Sequence, residues 1–304
     1  MHSWSTVTVG VADLAEAEAL WCDTFGMSAV AEREAGDATL ATLWQLPASA
    51  IGRQRLLTTP GQTTGRLHLV EFPDPDPPVR AGANTFDLAP KNLDIYVDDL
   101  PEKEVELRAG GHRFRTEQHS EVVAPDGTRF RELHMPVHDA INVVLLEVVG
   151  SPRPVTRAGF GAVGPLIITV PDARAEQAFA RDVLGLGKLS DHVLSGPEIE
   201  AMIGLPPGAT LDVSIWGDTT APFGQLEIIE YGGTDGVDLY ARAQAPATGI
   251  LQVRYHAESL APIEARLSDI ACERHTDIDL IDGRGALLRF RSPAGLAVEV
   301  LAPA

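Results

Sequence analysis

Apolar and polar residues alternate strictly near the start of the chain. Between Ser5 and Asp13, Val7, Val9 and Val11 fall on one face and Thr6, Thr8 and Gly10 on the other. Period-two alternation predicts a half-buried strand. Asp13 can cap a helix over Leu14 to Thr24, which Phe25-Gly26 ends. The same order returns three times. Asn92 to Asp98 leads to a helix starting near Pro101, and Pro165 to Asp172 to a helix over Ala173 to Leu184. Gln252 to Ala257 leads to a helix around Ala261 to Ser268. Strand-like segments follow each helix and close on a glutamate: Glu71, Glu147, Glu230 and Glu299. The predicted unit is strand, helix, then several strands, used four times.

The chain also repeats on a larger scale. Asp13 recurs as Asp172, Phe25-Gly26 as Leu184-Gly185, Leu46-Pro47 as Leu205-Pro206, and Glu71 as Glu230, each pair 159 residues apart. A single fixed offset is the mark of a duplicated architecture. The Pro/Gly-rich stretch from Val149 to Gly161 is the expected boundary. It divides the chain into residues 1–150, a linker over 151–159, and residues 160–304. The proline-rich segment Pro73 to Pro78 predicts a crossing loop between the first two modules.

Three segments carry a resemblance: Val7-Thr8-Val9-Gly10-Val11-Ala12-Asp13, the run from Phe179 to Leu186, and the run from Phe290 to Glu299. They resemble signatures of the vicinal oxygen chelate superfamily, which includes glyoxalases, bleomycin-resistance proteins and extradiol dioxygenases. Pro125-Asp126-Gly127 is similar to the family's late turn, with a longer segment after it. The resemblance spans almost the whole chain. It implies an α+β fold in which four βαβββ modules pair into two glyoxalase-like domains, with cupped mixed sheets and helices outside. Modules one and two are expected to form the N-terminal domain, and modules three and four the C-terminal one.

Alternation assigns faces within that frame. Leu93, Ile95 and Val97 meet a helix, which turns Asn92, Asp94 and Tyr96 into a cup. Leu251, Val253 and Tyr255 pack outward, leaving Gln252, Arg254 and His256 on the cavity side. His68 has the opposite parity to Glu71 and is expected to face outward. Metal-using members of the family supply ligands from opening strands, usually His, and closing strands, usually Glu. Carried over, the opening positions are Thr6, Asn92, Pro165 and Gln252, and the closing positions are Glu71, Glu147, Glu230 and Glu299. No opening histidine is present, so no cofactor is favoured and an extradiol ligand set is disfavoured. A divalent cation, if bound, would take oxygen ligands from Glu71, Asn92 and Glu147.

Two readings of the glutamates stay open: Glu71 and Glu147 meet across the first cup as metal-free acid and base, or each is merely paired with a basic or amide group. The second cup offers Arg254, His256, Glu230 and Glu299, for binding a carboxylate or enolate or as a salt-bridged floor. Tyr96 could donate to an oxyanion. His134 and His138, in an expected insertion, are candidate acid–base groups outside the family positions.

Composition narrows the partners. A net charge of -19 argues against nucleic acid and anionic membrane surfaces. The distant Cys22 and Cys272 point away from a disulfide and toward a reducing cytoplasm, and no secretory signal or membrane span is expected near Met1 or elsewhere. The resulting expectation is an enzyme acting on a small organic substrate, metal-independent or weakly metal-dependent. Isomerase, epimerase or lyase chemistry by proton transfer next to a carbonyl fits it best. A non-catalytic drug- or metabolite-binding protein is the alternative, and an extradiol-type dioxygenase with an atypical ligand set a further one. The readings allow a homodimer.

Overall fold

The computed structural model describes residues 3–267 and 270–303. Met1-His2 and Ser268, at the end of the fourth expected helix, lie outside the described residues. Module one runs β1 (Thr6–Val11), α1 (Leu14–Ala19), β2 (Ser28–Arg33), α2 (Ala38–Trp44), β3 (Gln54–Thr58) and β4 (Arg66–Glu71). Module two comprises β5 (Ala89–Val97), α3 (Leu100–Ala109), β6 (Ser120–Val123), β7 (Arg129–Pro136) and β8 (Asn142–Val148). Module three has β9 (Phe160–Thr169), α4 (Ala173–Asp182), β10 (Gly187–Ser195), α5 (Pro197–Ile203), β11 (Thr210–Gly217) and β12 (Gln225–Gly232). Module four has β13 (Gly249–His256), α6 (Ala261–Arg266), β14 (Cys272–Leu280), β15 (Gly283–Arg291) and β16 (Ala297–Ala302). Among the described residues no helix is long and apolar enough to cross a membrane.

The strands form two curled eight-stranded mixed sheets, ordered β2-β3-β4-β1-β13-β16-β15-β14 and β6-β7-β8-β5-β9-β12-β11-β10. Consecutive modules were the expected partners. Instead module one shares a sheet with module four, and module two with module three. Each opening strand needs its outer edge covered, and four similar modules leave the partner undetermined by local pattern. The antiparallel seams β1–β13 and β5–β9 make the choice. Each cup therefore draws on both halves of the chain.

The alternating apolar residues sit as predicted on the convex faces. Val7, Val9, Val11, Leu93, Ile95, Val97, Val253 and Tyr255 belong to one continuous buried cluster beneath the outer helices. The short helices α2 and α5 pack instead on the concave sides, through Leu40 and Leu43 in one cup and Ile199, Met202 and Ile203 in the other.

Three of the closing glutamates explain how helices and sheets are joined. Asp13, Asp99 and Asp172 cap α1, α3 and α4 with their side-chain oxygens. The first helical N–H of each is then taken by a glutamate of the closing strand. Leu14 donates to Glu71 (3.3 Å), Leu100 to Glu147 (3.0 Å) and Ala173 to Glu230 (2.8 Å). A carboxylate there satisfies an otherwise orphaned donor and faces the positive end of the helix dipole. Removing one, as in Glu230→Ala, is expected to cost about 1–2 kcal/mol in denaturant unfolding, with no change in ligand binding by either cup.

Candidate functional site

Parity in the closing strands separates scaffold from site. Along β4, Leu67, Leu69 and Glu71 face the helices while Arg66 and His68 face the hollow, because Thr6 pairs with Arg66 and Thr8 with His68. Glu71, Glu147 and Glu230 therefore lie outside the cups, and Glu71 and Glu147 belong to different sheets. They cannot form the expected acid–base pair, nor join Asn92 in holding a cation. Glu71 is held below the ordinary carboxylate range, despite an opposing burial penalty, by hydrogen bonds from Arg53 and Leu14. His68, expected outside, is wholly buried inside, 2.8 Å from Gln54 Oε1. Burial lowers its pKa to about 3.

The cup of modules one and four is closed by charge pairing. Arg254 is fully buried, reaches Glu299 at 2.9 and 2.6 Å, and also pairs with Asp282. Thr6 (2.9 Å), His256 (3.4 Å) and Arg66 (3.7 Å) add to the shell around Asp282. Arg289 takes the other oxygen of Glu299 at 3.1 Å. Of the two readings of Arg254, His256 and Glu299, this is the salt-bridged floor. A hollow of about 570 Å³ opens beyond Gln252; of its charged lining residues, Arg289, Glu273 and Glu299 are engaged with one another, while Arg291 bonds the Gly295 carbonyl.

The cup of modules two and three differs. It encloses about 320 Å³ between β5, β7, β8, β9, β11 and β12. Asn92, Asp94 and Tyr96 line it, as alternation predicts, and so does His134, which lies in β7 and not in an insertion. Among the polar lining residues that sequence reasoning missed are Lys91, Glu132, Glu227 and Tyr231. Glu227 stands 159 residues after His68, and the alternation Gln225, Glu227, Ile229, Tyr231 was the signal available for it. Lys91 had no such signal. Pro90 pairs with Ile168 and Asn92 with Ile167, so Lys91 is the extra residue of a β-bulge, which re-aims a side chain. A matching irregularity between β1 and β13 leaves Leu251 unpaired. Leu251 joins the inner apolar cluster of its own cup, so its expected outward direction is also corrected.

The buried charges of this cup are not neutralised by one another. Lys91 donates to Tyr231 Oη at 2.5 Å and forms no ion pair among the described residues. Burial, helped by Arg80 and Arg115, lowers its pKa well below the usual amine range. Burial, with the Glu227 charge second, raises Asp94 well above the carboxylate range. Glu227 is raised to about 8 by burial and by Glu132, with Lys91 opposing. Tyr96 is pushed up to about 12 by burial and remains a donor. Its ring lies against β9 where a Cβ on Gly164 would approach to 2.4 Å. His134 is driven toward the neutral form by burial, 3.1 Å from Asn142 and 3.7 Å from Glu132. Asp94 Oδ1, Asn92 Oδ1 and His134 Nε2 are buried without a partner. Buried polar atoms are rarely left so unless water, an ion or a ligand meets them.

His138 lies elsewhere. It accepts from Trp21 at 3.1 Å and sits 2.8 Å from Asp139, which fixes a loop and not a reacting group.

No protein-family model matches the chain, and no curated protein matches it in sequence. Solved structures do match. Glyoxalase I from Zea mays aligns at TM-score 0.66 and 13% identity over 99% of this chain and 92% of its own. A point variant of that enzyme gives 0.66 at 14% identity, again over 99% and 92%. A candidate dioxygenase from Bacillus subtilis gives 0.65 at 10% identity over 99% and 85%. The likeness is one of fold: the chain has the tandem glyoxalase-like architecture of these structures.

A metal of the kind that fold accommodates does not suit the residues present. The concave positions of the second cup include Pro165, Ile167 and Val144 beside Glu227. In the first cup the guanidinium of Arg254 already occupies Glu299. Among the described residues no cluster of three His, Cys, Asp or Glu could hold a metal ion.

Two predictions concern stability. Arg254→Leu leaves Glu299 and Asp282 buried without their cation and is expected to cost about 3–5 kcal/mol in denaturant unfolding. Glu227 ionises in the unfolded chain near 4.5 but in the fold only near 8, so its contribution is full below 4.5 and is lost as pH rises to 8. Unfolding titrations should find Glu227→Gln more stable than the parent at pH 8, with the gap closing toward pH 4.5. A gap independent of pH would contradict this assignment.

Proposed function

We propose that the cup of modules two and three is the active site of a small-molecule enzyme that moves a proton next to a carbonyl without a resident metal. The carrying observation is Lys91, turned into the hollow by a bulge and without an ion pair among the described residues, in the same cavity as Asp94 and Glu227. A buried amine with a lowered pKa can take a proton at neutral pH. Asp94, kept protonated by burial, can donate to the oxygen that becomes negative, as a neutral acid in an apolar site does. Glu227, with a pKa near neutrality, can return the proton to carbon. Tyr96 and Asn92 add polar contacts for the same oxygen. Isomerase, epimerase and lyase steps share this first proton abstraction.

A non-catalytic binder with the same fold is the competing reading. The walls suit it in part, since Val144, Leu146, Leu211 and Val213 are apolar. Burying Lys91, Asp94 and Glu227 without a salt bridge among them, however, costs several kcal/mol, of order ~2–5 in all. A pocket that only sequestered an apolar compound would gain by replacing them.

The test is deuterium incorporation from solvent at carbons adjacent to the carbonyl in a panel of oxo acids and hydroxyketones, followed by NMR. Exchange should survive chelator, and fall by about 10²-fold or more in Glu227→Gln and Asp94→Asn. Exchange that appears only on adding a divalent ion would overturn the metal-free assignment. Compounds that bind without any exchange would leave the binder as the correct reading.

A further inference from the structure

The segment over residues 151–159 is more than a connector. It leaves β8 through Gly150, in the left-handed region at φ 80°, and turns back on itself where Thr156 N donates to Phe160 O at 2.8 Å. The loop so formed places Arg153 on the wall of the second cup. Its guanidinium lies 4.9 Å from the centroid of the Tyr96 ring. Among the described residues it forms no ion pair, and its Nε is buried without a hydrogen-bond partner. The chain carries 43 acidic against 24 basic residues. In such an excess of carboxylates, a guanidinium left unpaired beside a cavity is not for want of candidate partners.

We infer that Arg153 is the anion-recognition residue of this cup, and that the substrate is a small oxo acid whose carboxylate it holds. This rests on the reading of the cup as a carbonyl site and specifies its substrate class. Stacking on Tyr96 fixes the guanidinium plane, so its donor fork is presented to the hollow with little further ordering. A carboxylate is the planar acceptor that fits such a fork with two parallel hydrogen bonds. Position supplies the length of the substrate. Tyr96 follows Asp94 by two residues on the same strand face, a spacing of about 7 Å. The carboxylate therefore sits a few bonds away from the carbonyl that meets Asp94. Burial favours the protonated forms of Asp94 and Glu227, which lessens the repulsion an anion would meet, while Glu132 and Asp126 also line the cup.

The test compares 4-oxopentanoate and 5-oxohexanoate with their methyl esters by calorimetric titration of the full chain. The acids should bind about tenfold or more tightly than the esters. Arg153→Gln should bring the acids down to the ester level and leave the esters unchanged, while Arg153→Lys restores part of the preference. Because Arg153 makes no hydrogen bond among the described residues, the melting temperature of unliganded Arg153→Gln should stay near that of the parent. The inference falls if the acid preference survives Arg153→Gln, if esters bind as well as acids, or if neither series binds. The readout is binding, so it separates from catalysis. An acid preference without deuterium exchange would retain Arg153 as the anchor and remove the proton-transfer reading. Exchange of esters and acids at equal affinity would do the reverse.

Discussion

The antiparallel seams between opening strands are the constraint on which the molecule depends. Where β5 meets β9 and β1 meets β13, modules from opposite halves of the chain become one sheet. Neither cup exists without that contact. The seams also carry the irregularities that decide what the cups contain. A regular ladder would keep Lys91 and Leu251 on the helix side with their alternate neighbours. One extra residue in the strand turns each the other way.

The two cups, built alike, have separated in chemistry. In one, Leu251 fills the inner face with apolar packing while Arg254, Glu299 and Asp282 neutralise one another at close range. A paired buried network of this kind specifies structure and leaves those three side chains engaged with one another. In the other, the corresponding bulge delivers Lys91, which meets Tyr231 and forms no ion pair among the described residues. The pKa values of Lys91, Asp94 and Glu227 are displaced by burial more than by each other. Displacements of that origin in a cavity are the usual mark of a functional site.

Scaffold and site are also divided within single strands. Glu227 and Glu230 lie three residues apart on β12, yet one lines the hollow and the other binds the first N–H of α4. The glutamates at the strand ends recur in modules one, two and three because every outer helix that follows an aspartate cap has the same orphaned donor to satisfy. Their repetition is a requirement of helix docking.

Much of the architecture is legible in the chain itself. The alternation of Val7, Val9 and Val11, the aspartate caps and the fixed repeat offset dictate four strand–helix–strand units, because backbone geometry is local and periodic. The same periodicity placed Asn92, Asp94 and Tyr96 on a concave face. It could not say which modules would meet, since four similar edges compete for one another and only the packed whole chooses. It misplaced Glu71, Glu147 and Glu230, because a glutamate ending a strand reads alike whether it faces a ligand or a helix terminus. Lys91 and Arg153 were beyond its reach. The direction of the first comes from a bulge made by pairing with a strand about 75 residues away, and the second reaches the cup only after a loop folds back over the sheet. Local pattern determined the parts of this protein, and long-range strand pairing decided which side chains share a hollow.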